Sequence, residues 1–178
     1  FVEVDQVVTV VDSLPPTASD AAVTLEAGVS YVSLTSAEAV TAFAATDNAS
    51  TPLVATLTAG SVVHTVAGPY TVTYRIEDAS TNFVEVDQVV TVVDNVDPTV
   101  TTTTLAPLTA EAALHIDEAY TELTMSDFSA SDNASTGLTV AVNLGGLDNT
   151  VAGSYTVTYS ISDASGNYVD VVQQVDIL

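Results

Sequence analysis

Cysteine and lysine are both missing from this chain of 178 residues, and Arg75 is its single base. Without thiols there is neither a disulfide framework nor a thiolate metal site. Against the one base stand 23 acids, giving a formal net charge of −22. Such a field repels nucleic acid and anionic membranes and attracts cations, so nucleic-acid binding is excluded. Aromatic residues are few, at 6%, and the tyrosines alternate inward, so no sugar-stacking platform is evident. No apolar run approaches the ~18 residues of a spanning helix, and no signal peptide is visible, so membrane insertion is not expected. There is no Ser-His-Asp set, nucleophile elbow, glycine-rich phosphate loop or pair of inward carboxylates. His64 and His115 do not correspond between repeats and have no partner at ligand spacing, which argues against zinc. The reading is of a protein without an active site.

What is present is a repeat. Gly68-Pro-Tyr-Thr-Val-Thr-Tyr-Arg-Ile-Glu-Asp-Ala-Ser80 returns almost unchanged as Gly153-Ser-Tyr-Thr-Val-Thr-Tyr-Ser-Ile-Ser-Asp-Ala-Ser165. Tyr70, Val72, Tyr74 and Ile76 fall on one face and Thr71, Thr73, Arg75 and Glu77 on the other. That alternation predicts a strand with one face in a core and one in water. Phe1–Asp12 recurs letter for letter as Phe83–Asp94, and Asp47-Asn-Ala-Ser50 as Asp132-Asn-Ala-Ser135. The expected organisation is therefore one unit at 13–94 and a second at 95–178. Residues 1–12 are expected to be the last strand of a preceding unit, and the chain a window on something longer. That strand would pair within the parent protein or be accepted by a neighbouring molecule. Pro-containing joints at Asp12–Pro16 and Asp94–Pro98 make the linkers short and extended.

Within a unit the coarse reading is all β. Strands are expected at Val23–Glu26, Leu53–Leu57, the Tyr70 stretch and Phe83–Val93, with Ser61–Val66 between them. Tyr31–Leu34 reads as an irregular edge, and Val40–Ala45 leads into the Asp47-Asn48 turn. The second unit repeats this through Leu114, Tyr120, Phe128, Leu138–Val142, Thr150-Val151, the Tyr155 strand and Tyr168–Ile177. Ser36–Val40 and Glu111–Leu114 suggest helical turns but neither sustains a 3.6 period. About seven short strands per unit predict tandem immunoglobulin-like β-sandwiches. Tyr70 and Tyr155 suit tyrosine corners, and Gln88 and Gln173 lean inward on the last strand, as buried amides or at local bulges.

The pattern VAGxYTVTYxIxDASxN, followed by a Val-rich strand ending at Asp and a Pro-containing linker, resembles bacterial immunoglobulin-like repeats of the hyalin-repeat type. The resemblance covers both units and residues 1–12. It implies a secreted or surface-anchored bacterial protein, often adhesive or biofilm-related, with calcium at domain junctions in several branches. One departure stands out: Thr81 occupies the turn position that Gly166 fills in the second copy, so the first turn is expected to differ in shape.

On that topology Asp132, Asn133, Asp163 and Asn167 converge on the linker carrying Asp94 and Asp97. The other junction offers Asp12, Asp47, Asn48, Glu77 and Asp78. Calcium takes six to eight oxygens, which carboxylates, amides and carbonyls supply; alternatively these Asp and Asn residues simply make turns. The leading functional expectation is a structural extender or stalk of an extracellular adhesin or surface fibre, rigidified by calcium, with neighbouring repeats as its partners. The alternatives are a glycan- or protein-binding module and an accessory domain of a secreted hydrolase.

Overall fold

The alternation of tyrosine, valine and threonine decides the central strands. In the computed structural model Gly68–Glu77 forms β3 and Gly153–Ser162 forms β9, with Val72, Tyr74, Ile76, Val157, Tyr159 and Ile161 all buried. The structure describes residues 1–49, 52–103, 112–134 and 137–178, with the backbone alone at 102, 103 and 112. Ser50, Ser135 and Glu111, each part of a motif above, lie outside them. The described residues group into two compact units. The first is Phe1–Leu25, Val29–His64 and Gly68–Val92; the second is Glu26–Gly28, Thr65–Ala67 and Val93–Leu178. Among the described residues the fold is all-β apart from one short helix and one 3-10 turn.

In the first unit β1 (Ala21–Glu26), β2 (Val54–Ala59), β3 and β4 (Phe83–Val93) make one sheet in the order β1-β4-β3-β2. β3 and β4 are antiparallel, with Tyr74 opposite Val86 and Val72 opposite Gln88. Val86, Val90 and Val92 alternate into the core, while Val84 is half-buried. Phe43 packs its ring against Tyr74 at 5.3 Å between centroids. Burying each such side chain stabilises the fold by about 1.5–3 kcal/mol.

Ser36–Ala42 is an α-helix, α1, rather than an unsustained turn. A capping box starts it: the Thr35 hydroxyl accepts from the Glu38 N–H, and the Glu38 carboxylate accepts from the Thr35 N–H at 2.8 Å. Its inward residues are Ala39 and, just beyond its end, Phe43, both fully buried. Cap and burial, not periodicity, make this helix. It takes up Val40–Ala42 of the expected lead into the turn, and the stretch that follows, Phe43–Thr46, is the counterpart of a strand in the second unit, Phe128–Ser131. The sheet pairing there shrinks to a single bridge, Thr17 with Thr46.

The second unit places β6 (Ala112–Leu114), β8 (Thr139–Asn143), β9 and β10 (Tyr168–Ile177) in the order β6-β10-β9-β8, and pairs β5 (Thr99–Thr103) with β7 (Phe128–Ser131). Ala112–Leu114 is thus a strand, parallel to β10, not a helical turn. Phe128 meets Tyr159 at 5.5 Å, as Phe43 meets Tyr74. Val171, Val175 and Ile177 are buried from β10, and Val169 is half-buried. Among the described residues the first unit has four strands and the second six, against the seven expected. Ser61–Val66 and Thr150-Val151 lie in turns and irregular segments instead of strands.

Both cores hold one buried polar network. Gln88 and Gln173 are buried amides, as the alternation required. The Tyr31 hydroxyl donates to Gln88 Oε1 at 2.8 Å and Tyr120 donates to Gln173 Oε1 at 2.6 Å. The Tyr74 and Tyr159 hydroxyls accept from the N–H groups of Leu34 and Leu123. Tyr155 closes a tyrosine corner on the Val151 carbonyl at 3.0 Å. Phe1–Val11 carries the sequence of β4 but forms no strand here, and its valines and Phe1 are exposed.

Candidate metal centres

The turn after β3 is built on Asp78. Its Oδ1 accepts from the N–H groups of Ser80 and Asn82, at 2.8 and 2.9 Å, and its Oδ2 accepts from Asn82 Nδ2 at 2.8 Å. Asp163 does the same with Ser165 and Asn167. Burial pushes both carboxyls up, but the asparagine side chain and the backbone donors outweigh it, so both end below the usual aspartate range. The turn at Thr81 therefore keeps its repeat's shape, contrary to expectation: Thr81 takes φ 72° where Gly166 takes φ 94°.

Each of these aspartates meets two others. Carboxylate oxygens of Asp12, Asp47 and Asp78 lie within 4.8 Å of one another in the first unit, as do those of Asp94, Asp132 and Asp163 in the second. One comes from the segment entering the fold, one from the Asp-Asn turn and one from the turn after the central strand. The turns hold their partners by the same bonds in both: Asp47 Oδ2 accepts from Ala49 N at 2.9 Å and Asp132 Oδ2 from Ala134 N at 3.0 Å. The asparagine of the last turn donates to the carbonyl of the entering aspartate, Asn82 to Asp12 and Asn167 to Asp94.

These bonds leave oxygens over. Asp12 Oδ2 and Asp47 Oδ1 in the first unit, and Asp132 Oδ1 and Asn133 Oδ1 in the second, are buried without a hydrogen-bond partner. A buried acceptor without a donor costs about 1–3 kcal/mol, and more when charged. Like charges about 4 Å apart add roughly 1 kcal/mol per pair even in water. An oxygen-only set with surplus negative charge fits a hard divalent cation.

Sequence reasoning named all six of these aspartates. Asn48, Asn133 and Asn167 stand beside them: Asn48 Nδ2 reaches Asp12 Oδ1 at 3.4 Å, and Asn133 Nδ2 donates to the Ala27 carbonyl at 2.8 Å. Asp97 is exposed in its linker and is not one of the converging groups. Glu77 points to the outer face of β3, where its Oε2 pairs with Arg75 Nη2 at 2.9 Å while Arg75 lies 3.8 Å above the Phe83 ring. Strand alternation sends Glu77 and Asp78 opposite ways. Two residues were missed: Asn82, which the match with Asn167 signals, and Ser165, whose hydroxyl donates to Asp94 Oδ2 at 3.0 Å. Neither histidine belongs to either group among the described residues.

No family model and no curated protein matches this chain. Solved structures do. The protocadherin gammaB4 extracellular domain is 13% identical, with a TM-score of 0.46, over 92% of this chain and 34% of that one. Human mucin-like protocadherin EC1-2 is 10% identical, with a TM-score of 0.38, over 92% of this chain and 98% of that one. Drosophila N-cadherin EC1-4 is 12% identical, with a TM-score of 0.35, over 94% of this chain and 51% of that one. The chain thus spans about a third of the first structure and half of the last.

Proposed function

We propose that the chain consists of extender repeats from an extracellular adhesin or surface fibre of the bacterial immunoglobulin-like, hyalin-repeat type. The repeats run over 13–94 and 95–178, and residues 1–12 are the closing strand of another such repeat. Each described acidic cluster takes one calcium ion. The observation that carries this is the twice-built triad of aspartates with buried oxygens that no donor reaches. In the first site the ion would be held by Asp12, Asp47 and Asp78; in the second by Asp94, Asp132 and Asp163, with Asn133 Oδ1 beside them. Oxygen ligands drawn from three separate segments mean that binding ties those segments together and stabilises the fold.

The test is calcium titration of the full chain by calorimetry, beside thermal melting. Two ions should bind with affinities on the order of 10⁻⁴–10⁻³ M, suited to extracellular calcium. At ten times the dissociation constant each site should add about 1.4 kcal/mol of stability. Asp47→Asn and Asp132→Asn keep a turn acceptor but lose charge, so each should bind one ion and the double variant none. A wild type whose heats and melting temperature ignore calcium up to about a hundredfold beyond that range refutes the reading.

A further inference from the structure

The two four-stranded sheets end on matching strands, β2 and β8, and only one of these edges is guarded. Leu57 stands opposite Tyr74 as Val142 stands opposite Tyr159, so Ala55 corresponds to Val140 and Thr56 to Ala141. The Ala55 N–H turns away from β3 and donates to Ser36 Oγ, at the start of α1, at 2.9 Å. A register shift between Leu57 and Ala59 blunts the rest of that edge.

β8 has neither device. Its ladder to β9 runs in register from Thr139 to Asn143. Thr124 and Asp127 repeat the bond between Thr35 and Glu38, which puts Met125 at the place of Ser36, and a thioether has no hydroxyl to offer. By the match with Ala55, Val140 points its N–H and C=O away from β9, and Val142 does the same two residues on. Among the described residues no strand pairs with that side of β8. Such a row of outward groups is a template for another strand.

We infer that β8 pairs antiparallel with β8 of a second copy of the chain, about a two-fold axis at Ala141. The edge is complementary to itself. Val140 of each copy faces Val142 of the other, so every outward N–H meets an outward C=O. The half-buried side chains of both valines gain cover from the same pairing. Ala141, small and exposed, meets its own copy across the axis. Charge selects this occupant and this edge. In a chain of net charge −22, residues 133–147 hold no ionisable side chain, so two copies meet there with their carboxylates kept back. A basic partner would find no charge to pair with.

Sedimentation velocity of the full chain from micromolar to millimolar concentration tests this, in about 0.5 M salt to screen the charge. Chelator throughout keeps the outcome independent of calcium. The wild type should form a reversible dimer. Ala141→Asp sets two carboxylates across the axis and should weaken it about fivefold, the repulsion of one close pair. Thr56→Asp, the matching change on β2, should not weaken it. Because the chain lacks cysteine, single cysteines report the contact independently. Ala141→Cys places the two Cα atoms about 4.5 Å apart, within disulfide reach, and should cross-link several-fold faster than Thr56→Cys. The variant Val4→Glu, Val8→Glu should associate unchanged. The proposal is overturned by a wild type that stays monomeric over the whole series, by Ala141→Asp associating as wild type does, or by Ala141→Cys cross-linking no faster than Thr56→Cys. Loss of association in the valine variant would also overturn it, assigning the contact to the exposed segment Phe1–Val11.

Discussion

Thr81 holds a left-handed backbone, φ 72°, on a β-branched residue, the least suited type for that region. It does so because Asp78 and Asn82 on either side close the turn through three hydrogen bonds and so fix the backbone between them. The strain of such a position is about 1–2 kcal/mol. Thr81→Gly should therefore raise stability by about 1 kcal/mol once the added freedom of the unfolded glycine is discounted. Chemical denaturation measures this directly. A destabilised variant would mean that the threonine side chain contributes more than its backbone costs. The reverse change, Gly166→Thr, should cost a similar amount.

Among the elements, β9 is the cleanest test of how pattern becomes packing. Val157 and Ile161 are fully buried, whereas Thr156, adjacent in sequence, is exposed. Ile161→Ala or Val157→Ala should cost about 1–4 kcal/mol, cavity included, and Thr156→Ala well under about 1 kcal/mol. Equal losses in urea unfolding would show that the two faces are not energetically distinct. α1 teaches the converse. With seven residues it is too short to stand alone, so its stability comes from the Thr35–Glu38 cap and from burying Ala39 and Phe43. Neither source leaves a periodic signal.

The whole molecule is governed by its charge of −22. Lowering pH from neutrality protonates carboxylates and relaxes their mutual repulsion, which favours the folded state. Asp78 and Asp163 act against that trend. Their pKa values are lowered by folding, so what they contribute is fully present above the unfolded value of 3.8 and is lost as pH falls through the folded ones. Melting temperature in chelator should hold or rise from neutral pH downward and then fall below about pH 3.8. The double variant Asp78→Asn, Asp163→Asn should show a shallower acid limb. An acid limb unchanged by those substitutions would place the loss elsewhere.

Some of this was settled by the chain alone. Strict alternation around Tyr74 and Tyr159 dictates which residues face inward, because successive side chains of a strand point opposite ways whatever surrounds them. The repeated Asp-Asn and Asp-Ala-Ser motifs named four of the six aspartates that converge, because turn chemistry is local and is written in the residues that make the turn, and the Pro-containing joints named the other two, Asp12 and Asp94. Tertiary structure decided the rest. It separated Asp78 from Glu77, excluded Asp97, and brought in Tyr31 and Tyr120, which are far in sequence from the glutamines they bond. It also gave the first unit the helix α1 where the matching stretch of the second, after Thr124, holds only the 3-10 turn Met125–Asp127. Each of these depends on which distant groups compete for the same buried space and the same hydrogen bonds, and no local pattern records that competition.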